Sequence, residues 1–147
     1  MTTVSYEASV DIRAPADRVW SVLSAVESWP RILPTVTRVE ALDGTPLETG
    51  RRYRVEQPKL RPALWTVTVL EPGRRFVWRT RSPGMAMVAD HFIEPIDADT
   101  VRVRLSFAFE GLLGALLGRL FGRLTRDYLA QEAAAFKQQA QADGKAP

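Results

Sequence analysis

The chain has 147 residues, which is enough for one domain with a buried core and too few for two ordinary domains. Hydrophobic residues make up 46% and charged residues 25%, a soluble globular composition that argues against intrinsic disorder. The lack of cysteine excludes disulfides, thiolate nucleophiles and cysteine-bound metals, and the single histidine, His91, excludes a site that needs two. No metal or cofactor is expected.

The net charge of +3 is spread along the chain and is carried almost entirely by arginine. Because the arginines do not share an outward face with aromatic residues, no nucleic-acid partner is expected. The most apolar stretch, Leu112 to Leu124, contains Arg119 and Arg123 and is too short to cross a bilayer. The first residues lack the basic start and apolar run of a signal peptide, so a cytoplasmic location is expected.

The first predicted elements are a strand and one or two short helices. Val4 to Arg13 alternates apolar and polar side chains, which predicts a half-buried strand. Pro15 in a first-turn position and Asp17 near the positive end of the helix dipole predict a helix directly after it. The helix is predicted to end before Pro30, with one more short turn over Arg31 to Leu33.

Six further strand-like runs follow, separated by turn dipeptides such as Asp43-Gly44, Pro72-Gly73 and Pro83-Gly84. The runs cover residues 36–42, 51–57, 64–70, 75–81, 85–93 and 101–109. Their spacing is typical of an antiparallel meander. Asp90 and Glu94 are predicted on its outer face, where Arg102 and Arg104 would form cross-strand ion pairs with them.

The last predicted element is a helix from about Leu112 to about Gln139, roughly 40 Å long, with a frayed tail from about residue 140. Apolar residues three and four positions apart predict the face that packs on the sheet. These residues are Leu113, Leu117, Leu120, Leu124 and Tyr128. Gly114, Gly118 and Gly122 are spaced by four, which indicates close approach of the helix to a strand or loop.

The order of elements lacks parallel βαβ alternation. It predicts a single α+β domain over residues 1–147, in which an antiparallel sheet of about seven strands curves around the long C-terminal helix. Such a sheet leaves a space beneath the helix unless large side chains fill it. The predicted lining consists of Tyr53, Trp65, Phe76, Trp78, Met87, His91, Leu105 and Phe107 from the sheet and Leu117, Leu120, Leu124 and Tyr128 from the helix.

Several segments carry a resemblance to a known superfamily. They are Ile12 to Trp20, Trp29-Pro30, Gly50 to Val55, Trp65 to Thr68, Pro72 to Trp78, and His91 with Pro95. In this order, over about Val4 to Phe136, the chain resembles the helix-grip fold of the START and birch-pollen-allergen superfamily. More narrowly, it is similar to bacterial polyketide cyclase/dehydrase-like proteins. The resemblance implies a cavity for a hydrophobic ligand, and it carries over no catalytic set, because the superfamily spans cyclases, lipid and quinone carriers and hormone receptors.

The function expected from these observations is binding of a small polyketide, lipid or aromatic molecule between sheet and helix. His91, Tyr53 and Tyr128 are the predicted polar contacts that orient it. Two alternatives stay open. The protein is a polyketide cyclase or dehydratase that uses His91 or a tyrosine of the cavity, or it is an interaction protein whose core is filled. A homodimer through a sheet edge or the helix end is also open.

Overall fold

The computed structural model describes residues 3–143 of the chain. Its strands are β1 (Thr3–Ile12), β2 (Arg38–Ala41), β3 (Arg52–Glu56), β4 (Ala63–Glu71), β5 (Arg75–Ser82), β6 (Met85–Pro95) and β7 (Val101–Glu110). Its α-helices are α1 (Ala16–Ser24), α2 (Trp29–Ile32), α3 (Leu112–Leu120) and α4 (Gly122–Asp143), with a 3-10 turn (Val26–Ser28) between α1 and α2. None of the helices in the described part combines the length and hydropathy of a membrane span.

The seven strands form one antiparallel sheet in the order β1-β7-β6-β5-β4-β3-β2. The α+β fold predicted from the sequence is confirmed, and every predicted strand lies within two residues of the observed bounds. In β1 the exposed and half-buried residues alternate along the strand as far as the buried Ile12, because successive side chains point to opposite faces.

The sheet is strongly curved. The rings of Trp65 in β4 and Phe107 in β7 lie 5.8 Å apart, centroid to centroid, although β5 and β6 lie between their strands. In a flat sheet these two strands would be about 14 Å apart, from three spacings of about 4.8 Å. A register shift between Val67 and Val69 bends β4. The curvature creates a concave face that α1, α2 and α4 cover.

The C-terminal helix differs from its prediction in two ways. It is divided at Phe121 into α3 and α4, and it stays helical over residues 140–143, where fraying was predicted; the rest of that tail lies outside the described residues. The predicted leucine face is also wrong for α3, since Leu113 and Leu120 are 40% and 72% exposed. The residues that pack inward are instead Gly114, Ala115 and Gly118 in α3 and Leu129, Ala133, Phe136 and Ala140 in α4.

Small residues replace leucine on this face because the helix backbone lies directly against two rings. A Cβ atom at Gly118 would be 2.9 Å from ring carbons of Phe109, and one at Gly122 would be 2.5 Å from the hydroxyl oxygen of Tyr6. The Tyr6 hydroxyl donates a hydrogen bond to the carbonyl oxygen of Gly118 at 2.7 Å. The close approach predicted from the glycine spacing is therefore confirmed.

The Gly118→Ala substitution is expected to destabilise the protein. In an exposed helix this change is worth about 1 kcal/mol in favour of alanine. Here the added methyl group must displace the ring of Phe109, and such overpacking costs about 1–3 kcal/mol. Urea unfolding should therefore show a net loss of about 1 kcal/mol. A gain in stability would mean that α3 does not lie this close to the sheet.

The outer face of the sheet carries ion pairs, though not all those predicted. Arg104 pairs with Glu94 at 2.9 Å, as expected. Asp90 pairs instead with Arg75 of β5 at 2.8 Å. Arg102 pairs with Asp11 at 2.7 Å, because the β1–β7 register places these two residues directly opposite each other.

Candidate functional site

One end of the concave face is filled by aromatic rings around Trp29. This residue enters the interior from α2 and is 3% exposed. Its indole N–H donates to the carbonyl oxygen of Leu23 at 3.2 Å. Its ring lies 5.4–6.2 Å, centroid to centroid, from those of Phe76, Trp78, His91 and Phe136. This end, the closed end, therefore joins the sheet to α4 through one indole ring.

His91 lies within the closed end and is 4% exposed. Its ring stacks on Phe76 with a centroid distance of 4.1 Å and an interplanar angle of 11°. Nδ1 lies 3.2 Å from the carbonyl oxygen of Phe76. Burial lowers the pKa of His91 to about 4, so the imidazole is neutral at pH 7. Because a carbonyl oxygen only accepts, Nδ1 carries the proton and Nε2 is the hydrogen-bond acceptor.

Tyr53 supplies a second polar group on the concave face. It is fully buried, and its hydroxyl oxygen has no hydrogen-bond partner among the described residues. Its ring lies 5.8 Å from that of Trp78, and the register of β3 and β4 places it opposite Trp65. Burial is the main cause that raises the pKa of the Tyr53 hydroxyl, which therefore remains protonated and able to donate.

At the other end of the concave face, the open end, the side chains are partly accessible. Met87 and Phe107 point inward from β6 and β7, two strands with neighbours on both sides, yet both side chains are partly exposed. A side chain in the middle of a sheet is accessible on its inner face only if the layer above it leaves space. The ring of Phe107 contacts that of Trp65, whose ring stacks on that of Trp78 at 5.7 Å. The open end is thus continuous with the buried rings.

The structure brings together the predicted lining residues of the sheet. Those on the concave face and buried are Tyr53, Trp65, Phe76, Trp78, His91 and Leu105, and those partly exposed at the open end are Met87 and Phe107. On the helix side, Leu117 and Leu124 are partly buried, whereas Leu120 is 72% exposed. The prediction for Leu120 is wrong because the glycine face of α3, rather than its leucine face, turns towards the sheet.

Tyr128 is also placed differently from its prediction. Its hydroxyl donates to the carbonyl oxygen of Pro58, in the loop between β3 and β4, so it holds a loop and is not free to donate to a ligand. One turn further along α4, the Glu132 carboxylate accepts a hydrogen bond of 2.8 Å from the hydroxyl of Thr35. Burial raises the pKa of Glu132 to about 7. These two contacts connect α4 to the loops beside β2 and β3.

Trp29, Phe136 and Glu132 are the site residues that sequence reasoning missed. The proline after Trp29 marked the end of a helix and gave no sign that the indole ring would enter the core. Phe136 could have been found from its spacing of seven residues from Leu129, since both lie on the buried face of α4. No group of three or more His, Asp or Glu side chains within residues 3–143 could hold a metal ion.

Two concave features lie outside the aromatic interior. The larger is an open groove of about 560 Å³ between β1 and α4, lined by Ala8, Ser9, Val10, Ala130, Ala133, Ala134, Lys137, Gln138 and Gln141. The smaller lies on the surface of α1. The larger groove exists because the alanines of α4 are too small to fill the space beside the edge strand.

A curved antiparallel sheet with an aromatic concave face and a long C-terminal helix defines the helix-grip class of proteins. The sequence profile described as polyketide cyclase / dehydrase and lipid transport matches residues 3–141, and the chain belongs to this family. No curated protein matches the sequence.

Solved structures support the same fold. The ZhuI aromatase/cyclase from Streptomyces sp. R1128 has a TM-score of 0.80 at 21% identity, covering 98% of this chain and 97% of that one. A START superfamily protein from Mycobacterium smegmatis has a TM-score of 0.71 at 17% identity, covering 97% and 99%. The di-domain aromatase/cyclase BexL of the BE-7585A pathway has a TM-score of 0.70 at 25% identity. The match covers 97% of this chain and 48% of BexL, so this chain spans about half the length of BexL.

Proposed function

We propose that the protein binds a small hydrophobic molecule with an aromatic ring and a polar group at the open end of the concave face. Met87, Phe107 and Trp65 supply apolar and aromatic contacts there. Membership of the polyketide cyclase / dehydrase and lipid transport family supports a ligand of this class. Affinity comes mainly from burial of apolar surface, and a few polar groups fix the orientation of the ligand.

The unpartnered hydroxyl of Tyr53 carries the proposal. A buried polar group without a hydrogen bond costs about 1–3 kcal/mol, and such groups are few in natural proteins. The cost is removed when a ligand accepts the hydrogen bond. Trp65 is opposite Tyr53 in the register, and its ring contacts that of Phe107 at the open end. A ligand that displaces the Trp65 ring would approach the Tyr53 side chain.

His91 fits ligand binding better than catalysis. Its pKa of about 4 makes the neutral imidazole a weak base, whereas a general base works best with a pKa near the operating pH. Nε2 can still accept a hydrogen bond from a ligand hydroxyl. An aldol cyclisation, as the aromatase/cyclase neighbours suggest, would need a stronger base than this ring.

Tyr53→Phe separates ligand binding from a structural role, with naphthalene and 2-naphthol as probes that differ by one hydroxyl. The wild type is expected to bind 2-naphthol about five- to tenfold more tightly than naphthalene, the value of one hydrogen bond of about 1 kcal/mol. In Tyr53→Phe that difference should disappear. The ligand-free variant should be more stable by about 1 kcal/mol, because an unsatisfied hydroxyl is removed. Quenching of tryptophan fluorescence gives the affinities and urea unfolding gives the stability.

The opposite pair of results would refute the proposal. A Tyr53→Phe protein that is less stable and binds both probes as the wild type does would assign a structural role to the hydroxyl. Failure of the wild type to bind either probe, together with an unchanged mass in native mass spectrometry, would favour an interaction protein with a filled core.

A further inference from the structure

Helix α3 exposes the side that an amphipathic helix normally buries. Leu112, Leu116 and Leu120 are 81%, 63% and 72% exposed. At about 100° per residue these positions fall within an arc of about 80°. Leu113 and Phe121 widen the exposed apolar surface at 40% and 39%. The opposite side of the helix consists of Gly114, Ala115 and Gly118 and packs on the sheet.

The charges beside these leucines are all positive. Arg119 and Arg123 are exposed, and none of the ion pairs recorded for residues 3–143 includes either of them. No acidic residue occurs between Gly111 and Arg126. A helix with exposed leucines and unpaired arginines on a packed domain has the composition of an interfacial helix on an anionic bilayer.

We propose that α3 is a docking surface for an anionic lipid bilayer. The side chains of Leu112, Leu116 and Leu120 enter the acyl boundary, and the guanidinium groups of Arg119 and Arg123 contact lipid phosphates. The glycine face supports this arrangement, because it seats the helix backbone on Phe109 and Tyr6 and leaves Leu112, Leu116 and Leu120 on the outer side.

A second copy of the chain fits this surface less well. A symmetric dimer brings the same patch of each protomer together. Pairing through α3 would therefore place Arg119 and Arg123 near their own copies, with no carboxylate between Gly111 and Arg126 to neutralise them. An anionic lipid surface offers many phosphates to the same cations, and charge complementarity therefore favours the bilayer.

Docking through α3 would place the open end of the concave face at the lipid surface. The Phe109 ring, against which Gly118 packs, lies 5.1 Å from the ring of Phe107 at the open end. A hydrophobic molecule could then pass between bilayer and protein without crossing water. The docking itself does not depend on the ligand site, so its test is independent of the naphthol experiment.

Vesicle flotation of the full chain tests the docking. We expect it to float with phosphatidylcholine vesicles that contain about one-third phosphatidylglycerol, to remain mostly free with phosphatidylcholine alone, and to dissociate as salt is raised. Leu116→Ser/Leu120→Ser should lower the fraction bound about tenfold or more, and Arg119→Gln/Arg123→Gln should remove the preference for anionic lipid. Leu60→Ser/Leu64→Ser is the matched control, since these leucines are 40% and 44% exposed elsewhere on the surface.

Three outcomes would overturn the proposal. In the first, the wild type floats with neither vesicle. In the second, the control pair loses as much binding as the α3 pair, which would indicate nonspecific adsorption. In sedimentation analysis without lipid, a dimer that Leu116→Ser/Leu120→Ser converts to monomer would assign the surface to self-association. Circular dichroism of each variant verifies that the fold is retained.

Discussion

Replacement of Trp29 by alanine is expected to lower the free energy of unfolding by about 3–5 kcal/mol, the usual cost of truncating a buried aromatic residue. The indole ring is 3% exposed and contacts the rings of Phe76, Trp78, His91 and Phe136. Its removal breaks the aromatic link between sheet and α4 and leaves a cavity, because the surrounding structure relaxes only partly. Urea unfolding measures the loss.

Trp20→Ala is the matched control for this experiment. Trp20 lies on α1, is partly exposed, and makes one ring contact, with Phe76 at 6.4 Å. Its truncation should cost less than half as much as that of Trp29. Added indole should raise the melting temperature of Trp29→Ala more than that of the wild type, because the variant has an additional apolar cavity of that shape. Equal losses in the two variants would show that Trp29 has no special role in joining the layers.

Glu132→Gln is expected to change how stability depends on pH. The carboxyl group has a pKa of about 7 in the folded protein and an ordinary value of 4.5. Because this pKa is raised in the folded protein, the carboxyl group makes a contribution to the free energy of unfolding that is complete below pH 4.5. This contribution is lost as the pH rises through 7. The glutamine variant keeps a neutral acceptor for Thr35 at every pH. It should match the wild type at pH 4.5 and be about 2–3 kcal/mol more stable at pH 8.

His91 has the opposite linkage. Its pKa is lowered from 6.5 to about 4, so its contribution is complete above pH 6.5 and is lost as the pH falls towards 4. Between pH 4.5 and 6.5 the slopes of Glu132 and His91 therefore oppose each other, and in the wild type they nearly cancel. In Glu132→Gln, the decrease in the free energy of unfolding that His91 causes as the pH falls should therefore become visible. The exposed Glu40→Gln serves as control, and a parallel pH profile for Glu40→Gln and Glu132→Gln would contradict the assignment.

The strands could be predicted from the sequence because burial of one face of a sheet makes apolar and polar residues alternate along each strand. Alternation along β1 and β6 identified which side chains point inward, including His91. The turn dipeptides then separated the strands, since glycine with a positive φ occurs at Gly44, Gly73 and Gly84. These signals depend only on residues close together in the sequence, and the structure contains the strands that they predicted.

The helix side of the site could not be predicted in the same way. The spacing of apolar residues selects leucines as the buried face. Helix α3 instead packs through Gly118, because its backbone lies too close to the Phe109 ring for a larger side chain to fit. The direction of Tyr128 is set by Pro58, seventy residues away in sequence, and no local pattern carries such a contact. The position of Trp29 likewise depends on how α2 lies over the finished sheet. Tertiary packing therefore determines which helix side chains face the sheet, and the periodicity of apolar residues alone does not.

The contacts of α4 also determine which part of the protein can yield. The amide N–H of Arg13, just after β1, donates to the Gln141 side chain at 3.0 Å. Near the other edge of the sheet, the loops at Pro58 and Thr35 bond to Tyr128 and Glu132. Helix α4 thus connects both edges of the curved sheet and fixes the distance between them. Helix α3, which packs on β1, β6 and β7 beside the open end, is not held by these contacts, and we expect that a ligand too large for the interior would displace α3 rather than widen the sheet.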